Sequence, residues 1–261
     1  MSHDRKRGAK SIQPVMSEAE TQVEELKNKT KAKGEQLIKE TIPKKILELN
    51  KLLESDIFSM SRYKSVIVKL NIPVPEVTSS PRLAINCENA KKRKMDCLED
   101  VENIGTKVYS IPGGSVPLNT QLADLLDLIK PHAIEQVEIA NQVKMWITFM
   151  VPKIEDGNNF GVSIQEDSIT EARQVETEAA ACLDQVSRYF LMRGKIVSKV
   201  AKYPHVDDYR RAVQELDEKE FISVKLALTE IRNNYASLHD LVSKNMDKIK
   251  KPRSANTDNM Y

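Results

Sequence analysis

Four stretches of the chain repeat apolar residues at helical spacing. The first begins near Val15 and places Leu37, Ile38, Ile42, Ile46, Leu49 and Leu53 at three- and four-residue steps. Pro43 falls inside it and predicts a kink or interruption, because proline lacks the N–H and clashes with the preceding turn. A short apolar segment, Tyr63 to Leu70, follows. The second stretch, about Asn119 to Val151, aligns Leu122, Leu125, Ile129, Ala133, Val137, Ala140, Val143, Ile147 and Met150, with Pro131 as a further expected kink. The third, about Val162 to Lys202, aligns Ile169, Ala172, Val175, Ala179, Leu183, Val186, Phe190, Val197 and Val200. Tyr203-Pro204-His205 ends it. The fourth, about Val206 to Lys248, runs through Val206, Tyr209, Val213, Leu216, Val224, Ile231, Tyr235, Leu238, Val242 and Ile249. Near-heptad spacing sustained this long predicts helices packed at shallow angles. About 40 residues at 1.5 Å each make a helix of ~60 Å. The expected fold is all-α, an elongated antiparallel four-helix bundle over residues 14–251.

Between these stretches the pattern changes. Residues 71–117 hold five prolines and three glycines without period, which marks a long inter-helix loop. Residues 1–13 and 252–261 are polar and aperiodic, and are expected to be a disordered extension and a flexible tail. The second and third helices are joined by Glu155-Asp156-Gly157-Asn158-Asn159-Phe160-Gly161, whose Gly and Asn content suits a tight turn.

Composition narrows the function. The chain of 261 residues has 40 Lys or Arg and 38 Asp or Glu, so 30% of it is charged while the net charge is +2. Such balance disfavours a dedicated nucleic-acid binder. Only 8 glycines are present, which disfavours Gly-loop nucleotide folds and β-rich architectures. No apolar run reaches the ~18 residues that span a bilayer, and the polar, basic N-terminus does not read as a secretory signal. Cys87, Cys97 and Cys182 are unpatterned, as expected for reduced thiols of the cytosol or nucleus.

Catalytic motifs fail one by one. A bundle di-iron site needs Glu-x-x-His, but Ile129, Lys202 and Ala236 stand three residues before His132, His205 and His239. There is no H-E-x-x-H, no C-x-x-C and no G-x-S-x-G. Gly194-Lys195 is no phosphate loop, since Tyr189 stands where its first glycine belongs. Cys182 reads as a structural thiol, His205 as a turn residue, and Trp146 and Phe149 as packing residues. The remaining Asp and Glu alternate with Lys and Arg on helix faces and read as solvated surface. No metal and no cofactor is expected.

Three features stand above this background. The Glu155–Gly161 turn sets two adjacent Asn side chains at the tip of a stiff scaffold, where recognition is often placed, with Phe160 as an anchor for the loop. Lys91-Lys92-Arg93-Lys94 suits nuclear import or a nucleic-acid contact. The tail ends on Asn259-Met260-Tyr261 and a carboxylate, which suits insertion into a partner's pocket. From the residues alone two readings remain open: a regulator acting through loop and tail, and a nuclear helical scaffold binding partners or nucleic acid through Lys91–Lys94 and Lys248–Arg253. A metal or nucleotide enzyme is a distant third.

The run from Ile154 to Glu166, IEDGNNFGVSIQE, resembles the activation loop of the REG family of heptameric proteasome activators. Lys202–Arg210, Lys248–Arg253 and Pro43-Lys44-Lys45 are similar to the same family, and the likeness covers nearly the whole chain from about residue 30. The loop between the first two helices lacks the alternating Lys and Glu of the alpha type. Its Lys91–Lys94 run resembles the import segment of the gamma type. The N-terminal extension around Arg5-Lys6-Arg7 and the sequence around the insert depart from that pattern.

The resemblance implies a non-catalytic regulator. Seven subunits would form a ring with a central channel. The ring would dock on the outer-ring subunits of the core proteasome through Asn259, Met260 and Tyr261. Glu155 to Gly161, with Asn158 as the key contact, would open the gate to peptides and unfolded proteins without ATP or ubiquitin. It further implies a nuclear protein, with the cytoplasm as second location, a nuclear-import receptor as partner, and neither a membrane nor nucleic acid.

Overall fold

The computed structural model of the chain describes residues 17–74, 114–154 and 159–253. Lys91–Lys94, Glu155–Asn158 and Asn259–Tyr261 lie outside the described residues, as do the first 16 residues and most of the inter-helix loop. The described elements are α1 (Glu18–Gln36), a π turn (Leu37–Thr41), α2 (Ile42–Glu54), a 3₁₀ turn (Asp56–Phe58), α3 (Met60–Ser65), α4 (Thr120–Thr148), α5 (Phe160–Lys202), α6 (Asp207–Lys244) and α7 (Met246–Lys250). No strand occurs among the described residues, in keeping with the all-α expectation.

The boundaries have local causes. Helix α1 starts behind a capping box: the Ser17 hydroxyl accepts from the Glu20 N–H at 3.3 Å, and the Ser17 N–H donates to the Glu20 carboxylate at 2.8 Å. Pro43 interrupts the first helical stretch as expected. The chain widens by one residue into the π turn just upstream, where Ile42 N–H reaches Leu37 O, and resumes as α2. Helix α4, in contrast, continues through Pro131. The fourth stretch breaks earlier than its periodicity predicts. The Asn245 side chain donates to Leu241 O at 2.8 Å, competing with the backbone ladder between α6 and α7. Val206, expected on its apolar face, lies in the connection before α6 and is 41% exposed. His205 is exposed beside it.

The chain divides into two compact units. One takes residues up to Lys44, Glu138–Val175 and those from Ala236 onward. Its core holds Leu37, Ile38, Ile42, Val143, Trp146, Ile147, Val242 and Ile249. Gly34 is required there: a Cβ on it would lie 2.1 Å from Trp146 Cγ, and the indole is itself 2% exposed. Trp146 is therefore a packing residue, as the sequence suggested.

The other unit takes Lys45–Val137 and Glu176–Tyr235. It draws on α2, α3, α4, α5 and α6. In the second unit Phe221 packs against Phe58 and Tyr63, with ring centroids 6.1 and 5.8 Å away. A satellite cluster of Ile72, Val200 and Val213 seats the first residues of the inter-helix loop.

This unit overturns one expectation about charge. Asp217, Glu220 and Arg193 are buried rather than solvated. The Asp217 carboxylate accepts from Arg193 Nε at 3.0 Å, from the Tyr189 hydroxyl at 3.0 Å and from Asn119 Nδ2 at 2.9 Å. Asn119 also donates to Val66 O at 3.0 Å and accepts from the Leu122 N–H at 3.4 Å, so it caps α4 while holding the chain that leaves α3. A charge pair out of water is tolerated when its remaining lone pairs and protons are also bonded.

Glu220 is not bonded in this way. Burial pushes its carboxyl up to about 7; Lys219 pulls it down and Asp217 adds to the rise. The folded state therefore prefers the protonated form. Its contribution to stability is full below the ordinary value of 4.5 and is lost as pH rises through about 7. Glu220→Gln is expected to stabilise the protein at pH 8.5 by about 2 kcal/mol and to change little at pH 4.5. Urea unfolding of both proteins at the two pH values, at one protein concentration, measures this. Equal differences at both would remove the carboxyl as cause.

Candidate functional site

The candidate site is built where α4 ends, α5 begins and α7 passes into the tail, all within the first unit. Helix α4 closes with turns from Phe149 N–H to Met145 O (3.0 Å) and from Met150 N–H to Ile147 O (2.9 Å). Pro152 has no N–H with which to continue it. The chain then runs out to Ile154, which is 97% exposed. It re-enters at Asn159, whose carbonyl accepts the Ser163 N–H at 3.0 Å and so starts α5.

Three of the seven loop residues named from sequence are therefore placed. Asn159 is the entry to α5. Phe160 is the first residue of that helix and is 70% exposed. Its side chain is therefore not packed into the core of the described residues. Gly161 is buried, and its place is dictated by contact: a Cβ there would lie 2.0 Å from the carbonyl oxygen of Pro252. Only glycine lets backbone approach backbone so closely.

Four residues further on, the fully buried Gln165 lies on the same face of α5. Its Nε2 donates to Ile249 O at 2.7 Å and to Met150 O at 3.0 Å. One side-chain amide thus joins the end of α4, the start of α5 and α7. Arg253 adds a bond from its guanidinium to Asn159 Oδ1 at 3.3 Å. On the other side of α7, Lys250 pairs with Glu35 of α1 at 2.5 Å. Together with Lys39 it holds the Glu35 carboxyl below its ordinary value. The root of the tail, Ile249 to Arg253, is thereby fixed against both α1 and α5.

Sequence reading named the loop and the tail separately. It missed Gln165 and the contact between Gly161 and Pro252, since neither polar residues in a helix nor glycines at its start reveal their partners. The one available signal was Gln165 itself, a polar residue on the apolar side of its helix.

The arrangement offers rigid presentation of chain segments. Cys182 is half-buried, and burial, with Glu220 and Glu230, pushes its thiol up to about 11. At neutral pH it is a thiol rather than a nucleophilic thiolate. Among the described residues no group of three or more His, Cys, Asp or Glu is placed to hold a metal ion, and no helix is long and apolar enough to cross a membrane.

Two family models match the chain: "Proteasome activator PA28, N-terminal" over residues 17–77 and "Proteasome activator PA28, C-terminal" over residues 115–259. The chain is 44% identical over 253 residues to Proteasome activator complex subunit 3 of Gallus gallus, covering 96% of this chain and 99% of that one. Among solved structures it is similar to the 11S subunit PA28 of the Plasmodium falciparum proteasome, at 34% identity and a TM-score of 0.67, over 95% of this chain and 100% of that one. A chain in the structure of an archaeal 20S proteasome–PA26 complex shares the fold, with 12% identity and a TM-score of 0.60 over 94% of this chain and 100% of that one.

Proposed function

Because the chain belongs to the proteasome activator PA28 family, we propose that it is a non-catalytic activator whose homoheptameric ring docks on the core proteasome by its C-terminal tails and opens the gate through residues 155–161. Neither ATP nor ubiquitin takes part, and the absence of a phosphate-binding loop from the sequence agrees with this. The observation that carries the reading is the joining of the loop exit at Asn159–Gly161 to the tail root at Pro252–Arg253. An activator of this kind needs its docking segment and its gate-contacting segment at a fixed separation.

The energetics are coherent with a ring. A flexible tail gives up conformational freedom on binding, so a single one binds weakly. A millimolar contact amounts to only ~4 kcal/mol. Seven tails on one ring make the later contacts intramolecular, and avidity does the rest. Cyclic symmetry sets identical groups at matching intervals around a barrel whose outer rings have the same symmetry. A loop that bonds the open gate and not the closed one then shifts the gate population, with Asn158 as the principal contact. The Lys91–Lys94 run supports import through a nuclear-import receptor and so a nuclear activator, with the cytoplasm as a second location. Peptides and unfolded proteins pass through the channel.

Removing Asn259 to Tyr261 is expected to leave the ring mass unchanged and to abolish co-sedimentation with the core particle. Normal co-sedimentation of the truncated ring would reject docking by the tail.

A further inference from the structure

We infer that Gln165 is a positioning residue that ties the exit of the 155–158 connection to the root of the C-terminal tail, so that tail docking and gate contact are presented as one rigid pair. The inference deepens the activator reading and rests on it.

The geometry is specific. An amide NH₂ has two hydrogens, and Gln165 directs both at main-chain carbonyls of different elements, Met150 O beyond α4 and Ile249 O in α7. Both carbonyls lie at helix ends, where the helix itself supplies no donor. Gln165 is fully buried, so water does not reach these bonds as a substitute. One turn earlier, Gly161 lets the backbone of Pro252 close on the same face of α5, and Arg253 reaches Asn159 across the junction. Each partner of Gln165 borders a segment to which the activator reading gives a task. Met150 leads into the loop, and Ile249 leads into the tail. The residue touches neither the gate nor the docking pocket and acts through what it holds. Other side chains of the same size lack the necessary donors: glutamate presents acceptors to two carbonyls, and the methionine thioether offers no donor. Asparagine is one methylene too short to span both.

Gln165→Met and Gln165→Asn are the test variants, examined as full-length assembled rings. The first readout is amide hydrogen exchange. Both variants are expected to speed exchange together in residues 159–166 and 249–253, with little change in the second unit. The second readout is maximal stimulation of peptide hydrolysis by closed-gate core particle, per assembled ring counted by native mass, at saturating ring. It is expected to fall by about tenfold for Gln165→Met while co-sedimentation persists, as befits a contact group moved by about an ångström. A merely structural role would lower ring yield and melting temperature and leave stimulation per assembled ring unchanged. That result, in either variant, overturns the proposal. So does faster exchange in only one of the two segments. Should Gln165→Met fail to assemble, the milder Gln165→Asn decides by the same criteria. Coupled exchange in a protein whose wild type stimulates nothing would remove the activator reading, and the positioning role with it.

Discussion

Asp217→Ala is expected to destabilise the protein by ~3–5 kcal/mol, the range for breaking a buried ion pair by removing one partner. The substitution leaves the Arg193 guanidinium, whose side chain is 7% exposed, as an uncompensated buried charge. It also removes the acceptor of the Tyr189 hydroxyl and of Asn119 Nδ2. The cost is therefore more than one bond, since Asn119 caps α4 and holds Val66. Asp217→Asn keeps the shape and one acceptor and is expected to cost less. Urea unfolding at fixed protein concentration measures both, because assembly couples stability to concentration. A loss below about 1 kcal/mol for the alanine variant would mean that solvent reaches Arg193 and that the cluster is not a buried network.

The second large effect concerns function rather than stability. Asn158→Tyr is expected to leave ring mass and co-sedimentation intact and to abolish stimulation of peptide hydrolysis. A short amide with donors and an acceptor is replaced by a large ring at the residue to which the proposal assigns the gate contact, while the tail to which it assigns docking is unchanged. Native mass, sedimentation with the core particle and hydrolysis rates separate the three properties. Full stimulation by this variant would remove the loop from the mechanism. Its contrast with Gln165→Met is informative, since one alters the contact and the other alters what holds it.

Much of this architecture was legible in the chain. Apolar spacing located the four helical stretches, because burial along one face is written directly into positions such as Leu122, Ala140, Ala179 and Val242, all buried in the structure. Pro43 announced an interruption, though not that a π turn would absorb it. What the pattern could not supply was the role of polar residues inside that face. Asp217, Gln165, Arg193 and Asn119 look like surface in a string of Glu and Lys, and only their partners on other helices make them core. Such partners are distant in sequence, as Asn119 is from Asp217, so no local window contains them. The strict near-heptad stripe also drifted around the helix. It selected Leu183 and Phe190, which are half-buried, and passed over Tyr189 and Leu228, which are buried. The candidate site was legible as two separate motifs, a Gly- and Asn-rich turn and a polar tail. The joint between them was not, because Gly161 and Gln165 acquire their meaning from Pro252 and Ile249 on another helix's end.

The central claim is activation without ATP. Its most direct test is peptide hydrolysis by purified closed-gate core proteasome, with and without this protein, in the absence of nucleotide. The account predicts several-fold stimulation that disappears when Asn259 to Tyr261 are removed. An unchanged hydrolysis rate with assembled rings, confirmed by native mass, would contradict it.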